Sequence, residues 1–352
     1  MRRWNGWGEE STVVELPAHG AAFLAQRVGT GRALPDATLE QALVQVPPSR
    51  LAAHPLYSLQ AQDRLLHARG QSLPDWLALR EGKPGLYPDA VAYPQSAAQV
   101  RELLALAAER DLCLIPYGGG TSVAGHINPL HGPRPVVTVS LARMNRLLDL
   151  DEQSLIATFE PGATGPQVES QLRARGYTLG HFPQSWELST LGGWVASRSS
   201  GQQSLRYGRI EQLFAGGTLE TFAGSLQIPA FPASAAGPDL REVVLGSEGR
   251  FGIISQVKVR VTALADDERF DVIVFNDVLE HIPPLEMALQ ASARHLADGG
   301  VLCLNCPDKR GLFFRVAAIL DRLGLSGPYD RLWQKGLPSP HVWYFTPDLL
   351  RR

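Results

Sequence analysis

Apolar and polar positions follow three successive patterns along the chain. Up to about residue 85, apolar residues have helical spacing in short stretches such as LEQALVQV, which prolines interrupt. From Leu86 onward, SAAQVRELLALAAERDL predicts a helix with Ser96 as its N-cap, and CLIPY, VVTVSL, LIATFEPG and the alternating VKVRV predict strands. This mixture predicts an α/β or α+β domain.

A different pattern begins after ALADDERFD. FDVIVFNDVLEHI predicts a buried strand and the start of a helix, PLEMALQASARHLADGG predicts an amphipathic helix ended by its glycine pair, and VLCLNCPD predicts another strand. This β-α-β order resembles part of a doubly wound sheet. We therefore predict a helical and irregular segment over 1–85, one domain over 86–264 and a second segment over 268–352, with a boundary at 264–269.

Composition adds mainly exclusions. The formal net charge is -2 and the pI is about 6.5, which gives no electrostatic reason to expect a nucleic-acid partner. No apolar run reaches the roughly 18 residues needed for a transmembrane segment. Only three cysteines occur, which indicates a reducing compartment without a disulfide framework. We expect a cytoplasmic protein.

A run of three glycines is the first candidate for chemistry. Gly118, Gly119 and Gly120 follow an apolar strand, and Thr121 and Ser122 add hydroxyl groups. Glycines allow positive φ and leave backbone N–H groups uncovered, which suits a diphosphate. A Walker loop is excluded because no lysine follows, and Val123 stands where a dinucleotide fingerprint needs glycine. A tight turn between strands is the alternative at this point.

Three further segments carry glycines or hydroxyls at intervals. QSWELSTLGGWVASRSSG has a second glycine pair beside hydroxyl side chains, and RYGRIEQLF has a predicted turn at Tyr207–Gly208 before a strand. In LGSEGRFGIIS, glycines punctuate a predicted apolar strand, where a closely approaching ligand is one reason for them. Each segment alone is also explained as a turn.

Taken in order, RWNGWG, PYGGGTSVAG, STLGGWVASRSSG and GSEGRFGIIS resemble the FAD domain of the vanillyl-alcohol oxidase type of flavoenzyme. Within that group the sequence is most similar to the alkyl-dihydroxyacetonephosphate synthases and their bacterial relatives. The resemblance covers roughly residues 1–262. It implies an α+β fold in which two subdomains together bind FAD.

The resemblance also implies which residues hold a non-covalent FAD. Those expected at the pyrophosphate are Pro116, Tyr117, Gly118, Gly119, Gly120, Thr121 and Ser122. Those expected near the flavin end are Gln184, Ser185, Ser189, Thr190, Gly192, Gly193, Ser197 and Ser200. Those expected near the adenine or ribose are Glu248, Gly249, Gly252, Ile253 and Ile254.

Some positions depart from the family or carry no expected role. Gln184 stands where the family usually has aspartate, and Arg250 where it usually has threonine. Some relatives attach FAD to a histidine. The synthase subfamily that this sequence resembles is expected to hold FAD without a covalent bond. We therefore interpret His126 and His181 as ordinary polar residues. Trp186 and Trp194 could flank a flavin, but we expect them in the core.

The resemblance implies an activity in ether-lipid synthesis. The synthases exchange the acyl group of acyl-dihydroxyacetone phosphate, a lipid-like substrate, for a fatty alcohol without net redox change. Their acid-base residues come mostly from a cap domain with a histidine cluster and a tyrosine. In this sequence no histidine cluster follows Val261, so we expect the cap to be missing. We therefore predict no catalytic residue.

Two alternatives stay open for the function. One is an FAD-linked 2-hydroxy acid oxidase or dehydrogenase, although the RWNGWG opening favours the synthases. The other is a catalytically silent fusion of an FAD domain with a second fragment. For the oligomeric state of the protein, a homodimer is one of the open alternatives.

The C-terminal stretches FDVIVFNDVLEHI, HLADGGVLCLNCP and HVWYFTPDLL resemble the later half of a class I methyltransferase that uses S-adenosylmethionine (SAM). The expected E/D-x-G-x-G-x-G loop does not precede Phe270, so we expect neither SAM binding nor methyl transfer. Asn276, Asp277, Glu280 and His281 are interpreted as remnants or solvated loop residues. Cys303 and Cys306 are expected in the core and on opposite faces of a strand, so no metal site is predicted.

Overall fold

The computed structural model describes residues 3–8, 10–11, 16–31, 35–232, 235–264, 269–335, 341–346 and 348. Contacts divide the chain into two compact units, one of Met1–Ser11 and Gly31–Leu264, the other of Thr12–Thr30 and Ala265–Arg352. The boundary expected at 264–269 falls largely on residues 265–268, outside the described residues. Among the described residues, no helix combines the length and apolar character needed to span a bilayer.

Helices and strands are numbered in chain order. The helices are α1 (Ala18–Val28), α2 (Leu39–Val44), α3 (Ala61–Leu66), α4 (Leu73–Arg80), α5 (Ala97–Glu109), α6 (Gly165–Arg173), α7 (Leu191–Ser197), α8 (Ser204–Tyr207), α9 (Ile210–Leu213), α10 (Leu240–Val244), α11 (Leu285–His295), α12 (Leu312–Arg322) and α13 (Gly327–Leu332). The strands are β1 (Tyr57–Ser58), β2 (Ala90–Ala92), β3 (Cys113–Tyr117), β4 (Val136–Ser140), β5 (Leu147–Asp151), β6 (Ile156–Phe159), β7 (Tyr177–Thr178), β8 (Phe214–Thr221), β9 (Gly224–Ile228), β10 (Ile253–Arg260), β11 (Thr262–Ala263), β12 (Phe270–Asn276) and β13 (Leu296–Asn305).

A four-stranded sheet of order β1-β2-β4-β3 forms the first half of the larger unit. β4 pairs in parallel with β2 and β3, and α5 supplies the crossover between those two strands. Ser96 accepts a hydrogen bond from the Gln99 N–H, as its predicted N-cap role requires. One face of α5 packs into the core of this half through Val100, Leu103 and Ala107.

An antiparallel sheet of order β5-β6-β10-β8-β9 forms the second half. The predicted alternation in VKVRV is confirmed, because Val257, Val259 and Val261 are buried whereas Lys258 and Arg260 are partly exposed. A separate hydrophobic core lies against this sheet. Two sheets with two cores confirm the predicted α+β fold of two subdomains.

The smaller unit contains a β-α-β arrangement: β12 and β13 pair in parallel, and α11 connects them. The prediction that the helix extends to the glycine pair is wrong, because α11 ends at His295 and Gly299 and Gly300 lie inside β13. Leu296 already has extended φ and ψ angles of -79° and 132°, so the backbone leaves the helix there. The core position expected for Cys303 is also wrong, since that thiol is exposed and Cys306 is only partly buried.

Candidate functional site

The glycine-rich loop, residues 118–122, begins directly after β3. A Cβ at Gly118 would overlap the Thr190 hydroxyl, and a Cβ at Gly119 would overlap the carbonyl oxygen of Leu188. Of the three glycines, Gly120 has the left-handed φ, 71°. Close packing against a second loop therefore requires two of the glycines, and backbone conformation requires the third.

The backbone N–H groups of this loop are its potential hydrogen-bond donors to a ligand. Within the described residues, the N–H groups of 118–122 donate to no protein acceptor. Backbone donors that lack a partner are rare away from free solvent, and several adjacent ones suit a multiply charged oxyanion. The loop thus has the donor set that a diphosphate needs.

The second loop, residues 184–190, leads into α7. Thr190 caps α7 by accepting a hydrogen bond from the Gly193 N–H, at 3.3 Å. The buried indole of Trp194 donates to the Ser189 hydroxyl at 2.7 Å, and that hydroxyl donates to the Ser185 carbonyl at 2.8 Å. These contacts hold the hydroxyl side chains in place beside the glycine-rich loop.

A turn immediately before β10 forms the third wall. Glu248 has a positive φ of 52°, and its N–H donates to the Ala196 carbonyl at 2.8 Å. A Cβ on Gly249 would lie 3.0 Å from Cγ of Pro116, so this turn packs on the end of β3, just before the glycine-rich loop. The predicted strand thus begins only at Ile253, after the glycines.

The three walls enclose a cavity of about 320 Å³. Eleven of the predicted FAD-binding residues line it: Gly118, Gly119, Gly120, Thr121, Ser122, Ser185, Ser189, Thr190, Gly193, Ser197 and Glu248. An adjoining, narrower cavity is lined by Pro116, Tyr117, Gly192, Gly249, Gly252 and Ile254, together with some of the same residues. The structure therefore brings the three predicted segments to one place.

Three predicted residues do not line these two cavities. Gln184 lines a neighbouring cavity with Trp7, Phe182 and Gln202, which shares Ser185 with the first one. Ile253 is buried in the core of the first half, and neither Ile253 nor Ser200 lines any of these three cavities. The sequence analysis assigned both Ile253 and Ile254 from their place in GSEGRFGIIS. Because successive residues of a strand point to opposite faces, Ile254 lines the narrower cavity whereas Ile253 points into the core.

The cavity also has lining residues that the sequence analysis did not assign to it: Val123, Ala124, His126, Ile127, Pro183 and Trp194. Ser199, which lies within the expected stretch from Ser197 to Ser200, lines it as well. Nδ1 of His126 lies 3.0 Å from the Ser122 hydroxyl and 3.4 Å from a Glu248 carboxylate oxygen. His126 thereby connects the glycine-rich loop with the turn before β10. Its closeness to the loop in sequence was a usable signal.

His181 is buried beside the same wall. Its Nε2 lies 2.8 Å from the Ser199 hydroxyl, its ring packs edge-on against Trp194, and Nδ1 has no partner in the described part of the chain. Burial lowers the pKa of His181 to about 4, so the imidazole is neutral near pH 7. Arg250, in contrast, is exposed.

In the smaller unit, one interpretation from the sequence is wrong. Asn276 and Asp277 are exposed, but Glu280 is completely buried rather than solvated. The structure also brings together two histidines that are distant in sequence, because the rings of His281 and His341 lie 4.6 Å apart. Sixty residues separate these histidines, so sequence spacing could not reveal the pair.

Comparison with known proteins agrees with these features. Residues 88–227 match the family model of an FAD binding domain, and residues 216–352 match that of a methyltransferase domain. The alkyldihydroxyacetonephosphate synthase of Trypanosoma brucei brucei is 30% identical over 322 residues, which cover 82% of this chain and 51% of that protein. The chain thus spans about half the length of this relative.

A solved structure and an oxidoreductase are also similar. A structure of alkyldihydroxyacetonephosphate synthase superposes with a TM-score of 0.65 at 30% identity, over 75% of this chain and 55% of that one. A probable mitochondrial D-lactate dehydrogenase of Danio rerio is 31% identical over 211 residues, or 58% of this chain and 41% of that protein. The chain therefore carries an FAD-binding domain homologous to that of the alkyldihydroxyacetonephosphate synthases and of FAD-linked oxidoreductases, followed by a region similar to methyltransferase domains.

Proposed function

We propose that the chain is a flavoprotein that holds FAD without a covalent bond, with the FAD pyrophosphate at residues 118–122. The observation that carries this proposal is the row of unpartnered backbone N–H groups in a loop that lines the cavity. Hydrogen bonds to a charged acceptor contribute about 1.5–3 kcal/mol each, so a few suffice for tight binding. The residues around the cavity therefore fit the cofactor.

The remaining walls suit the other parts of the cofactor. The Glu248 carboxylate is an acceptor that can take hydrogen bonds from ribose hydroxyls, and its positive φ sets it at the cavity. Ser185, Ser189 and Ser197 offer hydroxyl groups along the second wall. We assign these two sets to the ribose and the flavin side, respectively.

Non-covalent attachment is supported by the state of the two nearby histidines. His181 is buried, and its Nε2 lies within hydrogen-bond distance of the Ser199 hydroxyl. The nitrogen of His181 without a described partner, Nδ1, is buried, and Nδ1 of His126 already contacts the Ser122 hydroxyl and the Glu248 carboxylate. Precipitation of the holoprotein with acid tests this point: a yellow supernatant and a colourless pellet are expected, and a yellow pellet would contradict it.

For the reaction, we propose the exchange of acyl for alkyl on acyl-dihydroxyacetone phosphate, as in the synthases that the chain resembles. FAD, when bound, supplies a covalent handle for the dihydroxyacetone phosphate unit. We further propose that 86–264 form the FAD domain and that 268–352 form a separate domain, which follows it in the chain. The division of contacts after Leu264 supports this boundary, and the methyltransferase match over 216–352 supports a second kind of domain in the C-terminal region.

The second candidate is an FAD-linked 2-hydroxy acid dehydrogenase, which the similarity to the D-lactate dehydrogenase favours. Both candidates share the cofactor site, so substrate tests must separate them. Under the third option the chain binds FAD and is catalytically silent.

A two-stage experiment separates these options. Flavin fluorescence is first titrated with the full purified chain, and saturable quenching with one FAD per chain is expected. The holoprotein is then given either acyl-dihydroxyacetone phosphate with a long-chain alcohol, or D-lactate with a dye acceptor. Ether product supports the synthase, dye reduction supports the dehydrogenase, and FAD binding without turnover supports the silent protein. Failure to bind FAD would overturn the proposal.

SAM is not part of the proposed function. The stretch before Phe270 lacks the glycine-rich loop that holds the methionine and ribose of SAM. Titration calorimetry of the full chain with SAM is expected to show no heat of binding, and binding in the micromolar range would contradict this.

A further inference from the structure

Three potential metal ligands come together in the smaller unit. One carboxylate oxygen of Glu280 and one ring nitrogen each of His281 and His341 lie within 4.8 Å of one another. Ligand atoms around a tetrahedral zinc ion lie about 3.3 Å apart, given metal-ligand bonds of about 2.0–2.1 Å. Small side-chain rotations therefore bring the three atoms to one ion.

The carboxylate of Glu280 is the most unusual member. Its side chain is completely buried, and neither oxygen has a hydrogen-bond partner among the described residues. Burial of a carboxylate without compensating contacts is costly, and buried charges in proteins are paired or bind metals. Both unpartnered oxygens thus point to a positive group that completes this site.

The backbone fixes the two distant segments against each other. Glu280 and His281 lie in a 3₁₀ turn, Leu279–His281, shortly after β12. The Glu280 carbonyl accepts hydrogen bonds from the N–H groups of Val342 at 2.8 Å and Trp343 at 3.2 Å. These bonds hold His341 beside the turn, so backbone hydrogen bonds, and not side-chain conformation alone, bring the three residues together.

The hydrogen bonds of His341 determine which of its nitrogens is available. The Tyr344 hydroxyl donates to the Leu332 carbonyl at 2.5 Å, so its oxygen accepts from Nδ1 of His341 at 3.2 Å. Nδ1 then carries the proton, and the lone pair of Nε2 accepts a hydrogen bond from the Gln334 amide at 3.0 Å, which a bound metal ion would displace. Metal-binding histidines commonly donate their other N–H in this way.

The surroundings are acidic. Burial raises the pKa of the Cys306 thiol, and the negative charges of Glu280, Asp308 and Asp277 raise it further. Glu280 is buried whereas Asp277 and Asp308 are exposed, and the negative charge that the three carry around the cluster favours a cation there.

We propose that Glu280, His281 and His341 bind one divalent transition metal ion, with Zn²⁺ as the probe of choice. Two imidazoles and one carboxylate suit Zn²⁺ and its neighbours in the first transition series better than Mg²⁺ or Ca²⁺, which prefer oxygen ligands. Three protein ligands leave at least one coordination position for water or an oxygen of a substrate. The site is independent of the FAD cavity, since all its ligands lie in the smaller unit.

The test is metal binding by the full chain after treatment with a chelator. Competition with a chromophoric chelator is expected to show one tightly bound Zn²⁺ per chain. Glu280→Gln and His341→Gln, which keep side-chain size but lose ligand strength, should each weaken this binding at least about tenfold. His295→Gln and Cys303→Ser, in the same unit but outside the cluster, should leave it unchanged.

Thermal unfolding gives a second readout that guards against misfolding. Zn²⁺ should raise the melting temperature of the wild type but not of Glu280→Gln, and circular dichroism before heating shows whether each variant is folded. Titration with FAD reports on the larger unit independently. The proposal is overturned if the wild type binds no Zn²⁺, or if both ligand variants bind it as tightly as the wild type.

Discussion

The backbone of Gly119 runs so close to Leu188 that a methyl group on Gly119 would overlap the Leu188 carbonyl oxygen. The two residues belong to the two loops that form the candidate FAD cavity. Because Leu188 is held by its own backbone hydrogen bond to Ser185, it cannot retreat freely. The cavity therefore depends on this contact as much as on the donors that line it.

We predict that Gly119→Ala lowers FAD affinity by at least about tenfold, since separation of the loops by even one methyl group misplaces donors to the pyrophosphate. Gly132→Ala is the matched control, because a Cβ there meets no atom within 4 Å. Quenching of flavin fluorescence measures both. Equal affinity of the two variants would contradict the assigned loop.

A second prediction concerns Asp89, a buried carboxylate in the larger unit. It accepts hydrogen bonds from Nε and Nη2 of Arg50 at 2.9 and 2.7 Å, and from the Val136 N–H at 2.8 Å. Asp89→Asn should lower the free energy of unfolding by about 2 kcal/mol, because half of the paired interaction is lost while Arg50 can still turn to solvent. Urea unfolding measures the change.

Asp111→Asn provides the control for Asp89, since Asp111 pairs with Arg134 at 3.8 Å on the exposed surface. Its effect should stay within about 0.5 kcal/mol. Burial tends to raise the pKa of Asp89, but its bonds to Arg50 and Val136 lower it below 3.8 overall. The Asp89 contribution is therefore present above pH 3.8 and should shrink as pH falls below it, where both proteins converge.

The third prediction uses the buried imidazole of His181. Burial lowers its pKa from 6.5 to about 4, so between these values the unfolded chain binds more protons than the folded one. Its contribution to stability is present above pH 6.5 and is lost as pH falls toward 4, by up to about 3 kcal/mol.

His181→Gln should flatten this part of the stability curve, as glutamine does not titrate and can still bond to Ser199. His131→Gln, at an exposed histidine, should leave the curve as in the wild type. Urea unfolding at several pH values between 4 and 7 measures both. A slope unchanged by His181→Gln would show that other groups cause the pH dependence.

Local signals account for what the sequence predicted correctly. The N-cap at Ser96 and the alternation of VKVRV depend on neighbours in sequence, and both appear in the structure. The strand predicted directly after Tyr207–Gly208 is wrong, because α9 occupies Ile210–Leu213 and β8 begins only at Phe214. Gly216 and Gly217 weaken the strand pattern of β8 itself. Their reason is tertiary: a Cβ at Gly216 would overlap the Ile228 carbonyl of the neighbouring strand.

The candidate site divides in the same way. The convergence of the glycine-rich loop with Thr190 and Glu248 followed from a resemblance across four ordered motifs, since no single motif required it. The pairing of His281 with His341 had no such guide, because hydrogen bonds between distant backbone segments create it. Burial of Glu280 depends on the same contacts.

The last prediction concerns the β12–β13 pair in the smaller unit. Among its strand residues, Val272, Val274 and Val301 are 55%, 60% and 54% exposed, so the pair presents apolar side chains to solvent. A sheet with apolar exposed strands and unpaired edges favours association between copies. Val274→Thr keeps the β-branched shape but adds a hydroxyl, and should reduce association with little change in the melting temperature.

Val44→Thr is the matched control, since Val44 is also exposed but ends a helix in the larger unit. Light scattering over a range of protein concentrations measures the average mass of each variant. Val274→Thr should shift the mass toward that of a single chain, whereas Val44→Thr should match the wild type. If all three proteins have the same mass at every concentration, the β12–β13 surface does not drive association, because removal of its central methyl group would then have no effect on the contact between copies.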